Sequence, residues 1–276
     1  MGKWIGKHGQ ILPTLGIAIA AFITLPNSWT SLAAKESPAA TIKFCYQDKE
    51  LFPNYMGETN TKLANKPGIN IELVDQIALN LNLNVLYVRY SWNRCLALLK
   101  AGRVDSLIAS YNEDRAEYAV YPLRGEGLDI EKRINTLGYY MYHTAGSPAW
   151  NGKTLTDPNA VIAAPLGYSV AKVLRDIGIN LVETGSPEDI LKLLLHKRVD
   201  AIALPGTTAD ALIRADITRY TDIEKDPIPI TERPYFVVFS QKFSNLNPEL
   251  TKAIWQQTSS VRATYRQQLI DKYYYP

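Results

Sequence analysis

The sequence has few of the residues that build metal centres or disulfide-rich scaffolds. Its 276 residues include two cysteines and three histidines. Two cysteines permit a single disulfide, and His8, His143 and His196 lie in different segments without metal-ligand spacing. The sequence therefore predicts no metal site, and it excludes a disulfide-rich scaffold.

A strong charge bias and a glycine-rich phosphate loop are also missing. Thirty lysines and arginines stand against 27 aspartates and glutamates, so the net charge is +3. This excess is too small for the concentrated basic face that a nucleic-acid partner requires. Because no glycine-rich loop follows a predicted strand, we expect no nucleotide and no other cofactor. The proportions of hydrophobic residues (46%) and charged residues (21%) are those of a globular chain with one large domain or two small ones.

The longest apolar run is too short for a membrane span. It covers residues 11–25, follows Lys3 and Lys7, and precedes the small residues at 31–34. Since a spanning helix needs about 20 residues, this layout favours a secretory signal peptide at 1–33 over a retained anchor. No cysteine follows the run closely enough for lipid attachment. The sequence thus predicts a periplasmic protein, secreted through its N-terminal signal peptide into an oxidising compartment.

Strand-like and helix-like segments alternate through the rest of the chain. Short β-branched or aromatic runs predict strands at 41–46, 84–90, 104–109, 137–142, 161–164, 180–183, 199–204 and 234–239. Helices are predicted at 68–81, 92–101, 113–119, 168–177, 186–197 and from 248 to about 273. This alternation is typical of an α/β protein with mostly parallel sheets.

Two segments of the chain resemble each other. Residues 96–108 and residues 191–203 each form an amphipathic helix, a short basic turn and a strand that begins with Val-Asp. The recurrence of this unit predicts two similar lobes, each with its own sheet. The alternative is that two unrelated helix–strand units look alike.

One stretch has a more specific pattern. Trp92 begins a helix that ends in Gly-Arg-Val-Asp at 102–105, and a strand, Ser110 and then Arg115 follow in that order. In these features the chain, over about 41–273, resembles family 3 of the periplasmic solute-binding proteins, which serve polar amino-acid ABC transporters.

The resemblance implies the two-lobed type II periplasmic-binding-protein fold, an α/β fold in which each lobe is a mostly parallel sheet flanked by helices. The first lobe would comprise 41–138 and 239–276, and the second lobe 139–238. Two hinge crossings would join the lobes, near Gly138–Tyr142 and near Pro234–Phe239. Closure around a ligand would then be a hinge motion about these strands.

Ser110 and Arg115 are the strongest candidates for ligand contact. Ser110 ends a predicted strand, and Arg115 lies in the first turn of the next helix. A hydroxyl, a guanidinium and free backbone N–H groups would therefore meet, and this set suits a carboxylate. The alternative is a surface arginine paired with Glu113 or Glu117.

The resemblance assigns further residues to the pocket. It places Trp92 against the ligand, and it places the hydroxyl and amides of the turn at 167–169 on a carboxylate oxygen. Tyrosines in the loops would add stacking and hydrogen-bonding surfaces. The alternatives are a core role for Trp92 and a helix-cap role for Ser169. The predicted ligand-binding residues are Arg115, Ser110, Trp92, Tyr46, Phe52, Tyr111, Gly167, Tyr168 and Ser169.

The chain departs from the family at the position of one acid. Members that bind amino acids place an acid shortly after the second Val-Asp, where it holds the ligand's ammonium, but Pro205 stands there in this chain. A buried ammonium without a paired acid is costly. Either another acid such as Asp210 compensates, or the ligand is not an α-amino acid.

The two cysteines are candidates for a disulfide. Cys45 lies near the end of the first predicted strand and Cys95 near the start of a pocket-flanking helix. We expect them to be bonded in an oxidising compartment. The alternative is two buried small side chains.

The expected function is therefore binding rather than catalysis. No catalytic residue is predicted, since only Asp210 and Glu183, in unfavourable positions, could supply an acid or base. We expect a monomer that closes on a small carboxylate-bearing solute and delivers it to the permease of an ABC transporter. The alternatives are a sensor that signals to a membrane receptor and, on the same scaffold, a dehydratase-like enzyme.

Overall fold

The computed structural model describes residues 40–274, so the predicted signal peptide at 1–33 lies outside the described residues. The strands are β1 (Thr41–Gln47), β2 (Asn84–Tyr90), β3 (Ser106–Ser110), β4 (Ala119–Val120), β5 (Leu123–Arg124), β6 (Gly127–Leu128), β7 (Asn135–Thr144), β8 (Ile162–Ala164), β9 (Leu181–Glu183), β10 (Ala201–Pro205), β11 (Ile223–Lys225) and β12 (Thr231–Ser240). The helices are α1 (Ile69–Asn80), α2 (Trp92–Lys100), α3 (Glu113–Ala116), α4 (Ser169–Asp176), α5 (Pro187–Leu195), α6 (Gly206–Ala215), α7 (Gln241–Leu246) and α8 (Pro248–Tyr274). In this part of the chain, no helix combines the length and the apolar character that a bilayer crossing demands.

The predicted strands and helices all appear, but α6 and α7 were not predicted. Helix α6 follows β10 directly and begins with Gly206, Thr207 and Thr208. Glycine and β-branched residues favour helix weakly, and no side chain caps this helix at its N-terminus. Burial of Thr208 and Ala209 against the rest of the molecule therefore stabilises α6 where local propensity does not.

Ten strands form one sheet, with the main order β2-β1-β3-β12-β7-β10-β8-β9 and with β4 paired to β12 and β11 paired to β7, while β5 and β6 form a separate two-stranded sheet. Pairs at the two ends are parallel, since β1 joins β2 and β3, and β8 joins β9 and β10. The centre is antiparallel, because β12 pairs with both β3 and β7. We call the half built on β1–β3 the first lobe and the half built on β8–β10 the second lobe. The expected separate sheets are thus joined, because the two ten-residue strands β7 and β12 pair with each other between the lobes.

Tyr235 marks the point where β12 changes partner. It lies opposite Ser110 of β3 in one register and opposite Asn135 of β7 in the other. Further along β7, Tyr139 pairs with Pro205 of β10. Residues from both lobes therefore meet where these central strands cross.

Each lobe has a core on both faces of its strands. In β1, Phe44 packs with α1 and α8 on one face, whereas Cys45 packs with α2 on the other. In β10, Ala203 packs with α4 and Leu204 with α5. This alternation follows from the two-residue period of a strand, and it explains why β10 is apolar throughout and why residues 44–46 of β1 are buried on both faces.

The predicted disulfide is confirmed. Cys45 and Cys95 are bonded, with a Cα–Cα distance of 5.6 Å and 50 residues of sequence separation. Both cysteines are fully buried. The bond fixes α2 to β1, and α2 begins at Trp92.

Gly68 sets the start of α1. Its φ is 115°, and a Cβ at this position would lie 2.3 Å from the Asn54 carbonyl oxygen, so only glycine fits. The Gly68 N–H also donates to the Tyr273 hydroxyl of α8 at 2.7 Å. These contacts place Asn70, in the first turn of α1, at the wall of the pocket described below.

Candidate ligand-binding site

A pocket of about 530 Å³, including its open mouth, lies at the ends of the central strands. Gln47 ends β1, Ser110 ends β3 and Pro205 ends β10, so three strand ends converge there. Tyr139 of β7 and Tyr235 of β12 form the floor between them. The remaining lining residues are Leu51, Asn54, Tyr55, Asn70, Trp92, Ile108, Arg115, Leu137, Gly167, Tyr168, Ser169 and Thr208.

Arg115 is positioned by the short helix α3. The Asn112 side chain caps this helix by accepting a hydrogen bond from the Arg115 backbone N–H at 2.7 Å. The guanidinium donates through Nη1 to the Ser110 carbonyl and through Nη2 to the Gly167 carbonyl at 3.4 Å. It lies 5.7 Å from the centre of the Trp92 ring. One cation is thus held against both lobes.

The Arg115 guanidinium is buried and has no counter-ion. Arg115 is 3% exposed, and no carboxylate of residues 40–274 lies within 4.0 Å of its nitrogens. Its Nε is buried without any hydrogen-bond partner. The alternative of a surface arginine paired with Glu113 or Glu117 is therefore excluded. A buried guanidinium in this state favours an anion beside it.

The turn at 167–169 brings a second free donor to the pocket. Gly167 has a φ of 78°, which favours glycine, and a Cβ there would lie 2.3 Å from Asn93 Oδ1, so the Asn93 side chain would have to shift. Ser169 is the first residue of α4 and is 4% exposed, and its Oγ has no hydrogen-bond partner among the described residues. The cap position belongs to Tyr168, so Ser169 does not cap the helix. Its hydroxyl lies near the Tyr139 hydroxyl and keeps hydrogen-bonding capacity for a ligand oxygen.

Three tyrosines of the pocket, Tyr55, Tyr139 and Tyr168, are neutral phenols. Burial, followed by the neighbouring Tyr235 hydroxyl, raises the pKa of Tyr139 well above its usual value. Burial likewise raises the pKa of Tyr168 and of Tyr55. Tyr139 and Tyr235 share a hydrogen bond between their hydroxyls, and Tyr168 donates to Gln47 Oε1 at 2.9 Å. These rings therefore add hydrogen-bonding and stacking surface without charge.

No protein-family model matches the sequence, and no curated protein matches it either. Solved structures do. The substrate-binding protein of an amino acid ABC transporter matches with a TM-score of 0.63 and 18% identity, over 86% of this chain and 100% of that chain. A histidine kinase sensor domain with similarity to periplasmic binding proteins matches with a TM-score of 0.64 and 21% identity, over 86% and 96%. The GluR0 ligand-binding core in complex with L-glutamate matches with a TM-score of 0.67 and 16% identity, over 86% and 99%.

The chain has the type II periplasmic-binding-protein fold. This confirms the predicted fold class. At these identities the likeness concerns the fold, so the role of the site has to be argued from its own residues.

In this periplasmic-binding-protein fold, the two lobes touch across the pocket. The Trp92 indole N–H of the first lobe donates to the Gly167 carbonyl of the second at 3.1 Å. On another side, the Thr208 hydroxyl of α6 donates to the Phe52 carbonyl at 3.3 Å. With the Tyr168 bond to Gln47, these contacts surround the pocket and hold the lobes together.

Six predicted residues line the pocket, and three lie elsewhere. Tyr46 is in the core, with its ring 5.3 Å from that of Tyr55 and 4.7 Å from the Arg89 guanidinium. Phe52 contacts the Tyr274 ring at 5.1 Å, and Tyr111 contacts Tyr121 at 5.3 Å. The residues that line the pocket are Arg115, Ser110, Trp92, Gly167, Tyr168 and Ser169.

The local backbone explains why Tyr46 and Tyr111 lie outside the pocket. Neighbouring residues of a strand point to opposite faces, so Gln47 faces the pocket where Tyr46 was expected. Tyr111 lies one residue past Ser110, outside the pocket wall. Sequence reasoning placed Tyr139 and Tyr235 in the predicted hinge crossings but missed that both line the pocket.

The two acids that the sequence offered do not line the pocket. Asp210 accepts from the Tyr142 hydroxyl at 2.7 Å and pairs with Lys225 at 2.6 Å. Glu183 pairs with Arg175 and accepts weakly from the Gly167 N–H at 3.5 Å. Among the described residues, none of those lining the pocket is an aspartate, glutamate, histidine or lysine. Within the same part of the chain, no group of three or more histidines, cysteines and acids has a metal-binding arrangement.

Proposed function

We propose that this protein is an extracytoplasmic solute-binding protein that closes its lobes on a small carboxylate-bearing solute. The observation that carries the proposal is Arg115, a buried cation whose Nε is unpaired and which faces a pocket without an acid. The free Ser169 hydroxyl lines the same pocket from the second lobe. A carboxylate has two oxygens that can accept from both donors.

The location of these donors links binding to closure. Arg115 follows β3 of the first lobe, whereas Ser169 begins α4 of the second lobe. A ligand shifts the balance between open and closed forms only by binding the closed form better. A carboxylate that contacts both residues does so, because neither lobe alone offers both donors.

We propose, further, that the bound solute is delivered to the permease of an ABC transporter by a monomer. The lobes would comprise 41–138 with 239–276, and 139–238, with the hinge in β7 and β12. The disulfide between Cys45 and Cys95 supports secretion into an oxidising compartment such as a periplasm. A transporter and a receptor would both recognise the closed form of the protein.

A sensor is the second candidate. The likeness to a histidine kinase sensor domain shows that this fold also occurs in receptors. A dehydratase-like enzyme would need a placed acid or base in the pocket, and the described lining residues include no aspartate, glutamate, histidine, cysteine or lysine.

Calorimetric titration of the secreted protein, freed of co-purified ligand, with a panel of carboxylates, amides and sugars tests the proposal. We expect a carboxylate to bind with micromolar or better affinity, which corresponds to about −8 kcal/mol. Arg115→Gln should abolish binding, since it removes the charge of the buried guanidinium. Arg103→Gln, at an exposed position of the first lobe, is the matched control and should bind normally. Binding that survives in Arg115→Gln would disprove the carboxylate site, and turnover of a bound compound would favour the enzyme.

A further inference from the structure

We infer that the pocket takes a carboxylate without an ammonium group, such as an α-hydroxy acid, an α-keto acid or an unsubstituted acid with an apolar body. The inference rests on the proposed function. It concerns what the ligand carries beside its carboxylate, and the charges and hydrogen-bond acceptors of the pocket decide it.

The charges of the lining residues favour a ligand without an ammonium group. Arg115 is the single cation of the lining described above, and no lining residue is an acid. A monoanion would leave the closed pocket neutral. A zwitterionic amino acid would leave it with one uncompensated positive charge, and such a charge is costly in a closed, poorly hydrated site.

The two acids that the sequence offered, Asp210 and Glu183, are already paired with other side chains. Both carboxylate oxygens of Asp210 have partners, one the Tyr142 hydroxyl and the other the Lys225 ammonium. Turning Asp210 toward a ligand would strand Lys225 without its ion pair. Glu183 is in turn occupied by Arg175. The possibility that Asp210 compensates for Pro205 is therefore not supported by this arrangement.

The pocket offers an ammonium group few acceptors that are not already engaged. An ammonium has three N–H donors and needs oxygens to receive them. The Ser110 carbonyl already accepts from Arg115 and Tyr121, and the Gly167 carbonyl accepts from Trp92 and Arg115. The side-chain oxygens of Gln47 and Asn70 each already accept one hydrogen bond, from Tyr168 and Asn135 respectively, and both are uncharged.

The unpartnered polar atoms that line the pocket suit a carboxylate. Arg115 Nε is a donor only, and the Ser169 hydroxyl can donate as well as accept. Asn135 Oδ1 is a buried acceptor without a partner, but Asn135 does not line the pocket. Pro205 and Leu137 add apolar surface to the pocket, and Trp92, Tyr55 and Tyr168 add aromatic rings. This lining suits an anion with an uncharged body.

Matched ligand series test the inference by calorimetry. Each series shares one carbon skeleton: phenylalanine, phenyllactate, phenylpyruvate and 3-phenylpropanoate, and the corresponding four compounds of leucine. We expect a deaminated member of at least one series to bind about a hundredfold more tightly than its amino acid, the factor that about 3 kcal/mol for an unpaired buried charge represents. An amino acid that binds as tightly as its deaminated partners, with binding lost in Arg115→Gln, would overturn the inference and leave the proposed function intact. If no carboxylate of any kind binds, the proposed function fails and the inference with it.

A charge variant provides the second test. Pro205→Asp would place an acid at the pocket wall, and Pro205→Asn has nearly the same shape without the charge. We expect the ratio of amino-acid affinity to keto-acid affinity to be at least tenfold higher in the Asp variant than in the Asn variant. Equal ratios in two variants that both bind would show that an acid at this wall does not control the ammonium, against the inference. Should neither variant fold, the ligand series alone decides.

Discussion

The Trp92 indole N–H donates to the Gly167 carbonyl at 3.1 Å and so connects the start of α2 to the turn before α4. The same carbonyl accepts from Arg115, which stands beside the Trp92 ring. The residue proposed to bind the ligand and the residue that joins the lobes therefore share one acceptor. Ligand binding and lobe closure are linked at this point.

Trp92→Phe should weaken ligand binding by roughly three- to tenfold. The phenyl ring keeps aromatic surface but removes the N–H, and a net contribution of about 1 kcal/mol is typical for such a hydrogen bond. Trp255→Phe is a matched control, because its N–H donates to the Val237 carbonyl at 2.7 Å within the first lobe. Calorimetry should show normal affinity for that control. Equal losses in both variants would show that the Trp92 bond has no special role in closure.

Gly167→Ala should lower ligand affinity at least about tenfold, whereas Gly178→Ala should leave it unchanged. Both glycines have positive φ, 78° and 80°, so both substitutions introduce backbone strain of about 1 kcal/mol. Only at Gly167 does the new Cβ meet a neighbour, Asn93 Oδ1 at 2.3 Å, while nothing lies within 4 Å at Gly178. Urea unfolding together with titration separates the two effects. A Gly167→Ala protein with normal affinity would contradict the close approach of the lobes.

Replacing both Cys45 and Cys95 by alanine should lower the free energy of unfolding by about 2–4 kcal/mol. The bond closes a long loop and limits the unfolded chain, and both side chains are fully buried. Urea unfolding of the variant and the oxidised protein gives the difference. A reducing agent should lower the melting temperature of the original protein and leave the variant unchanged. Free thiols detected by alkylation of the unreduced protein would refute the bond.

Asp189→Asn should reduce stability at neutral pH but much less at acidic pH. Hydrogen bonds from the Ser186 backbone N–H, then from its hydroxyl, lower the pKa of Asp189 below its usual value. A lowered pKa in the folded state stabilises the fold fully above the unfolded value of about 4, and this contribution disappears as the pH falls through the folded pKa. Urea unfolding from pH 7 to pH 2.5 should therefore show the two curves converging. Asp222→Asn, at an exposed turn position, is the control for the loss of one carboxylate and should leave stability at neutral pH unchanged.

The sequence predicted those parts of the fold that depend on local patterns. Strand β1 is rich in β-branched and aromatic residues, and Pro187 follows the cap residue Ser186 at the start of α5, so both elements could be recognised. Helix α6 was not predicted because its first residues favour helix weakly and its stability comes from burial.

Within the candidate site, too, the residues in local sequence patterns were predicted and those that depend on tertiary contacts were not. Arg115 and Gly167 belong to short segments with a recognisable pattern, and both line the pocket. Tyr139 and Tyr235 meet only because β7 and β12 cross, and no local pattern reports a contact between residues so far apart in sequence. The ion pair between Asp210 and Lys225 is also a tertiary contact. The sequence alone therefore did not show whether Asp210 could hold the ammonium of an α-amino acid in place of an acid at position 205.

The position of Trp92 also makes it an internal fluorophore for lobe separation. Among the described residues the chain has two further tryptophans, Trp150 in the core of the second lobe and Trp255, which packs on the core of the first. Neither of them bridges the lobes. When the lobes part, the Trp92 indole loses its carbonyl acceptor and meets water, while the other two keep their surroundings. A red shift in emission on opening, and a blue shift on closure, would therefore follow the motion without any added label.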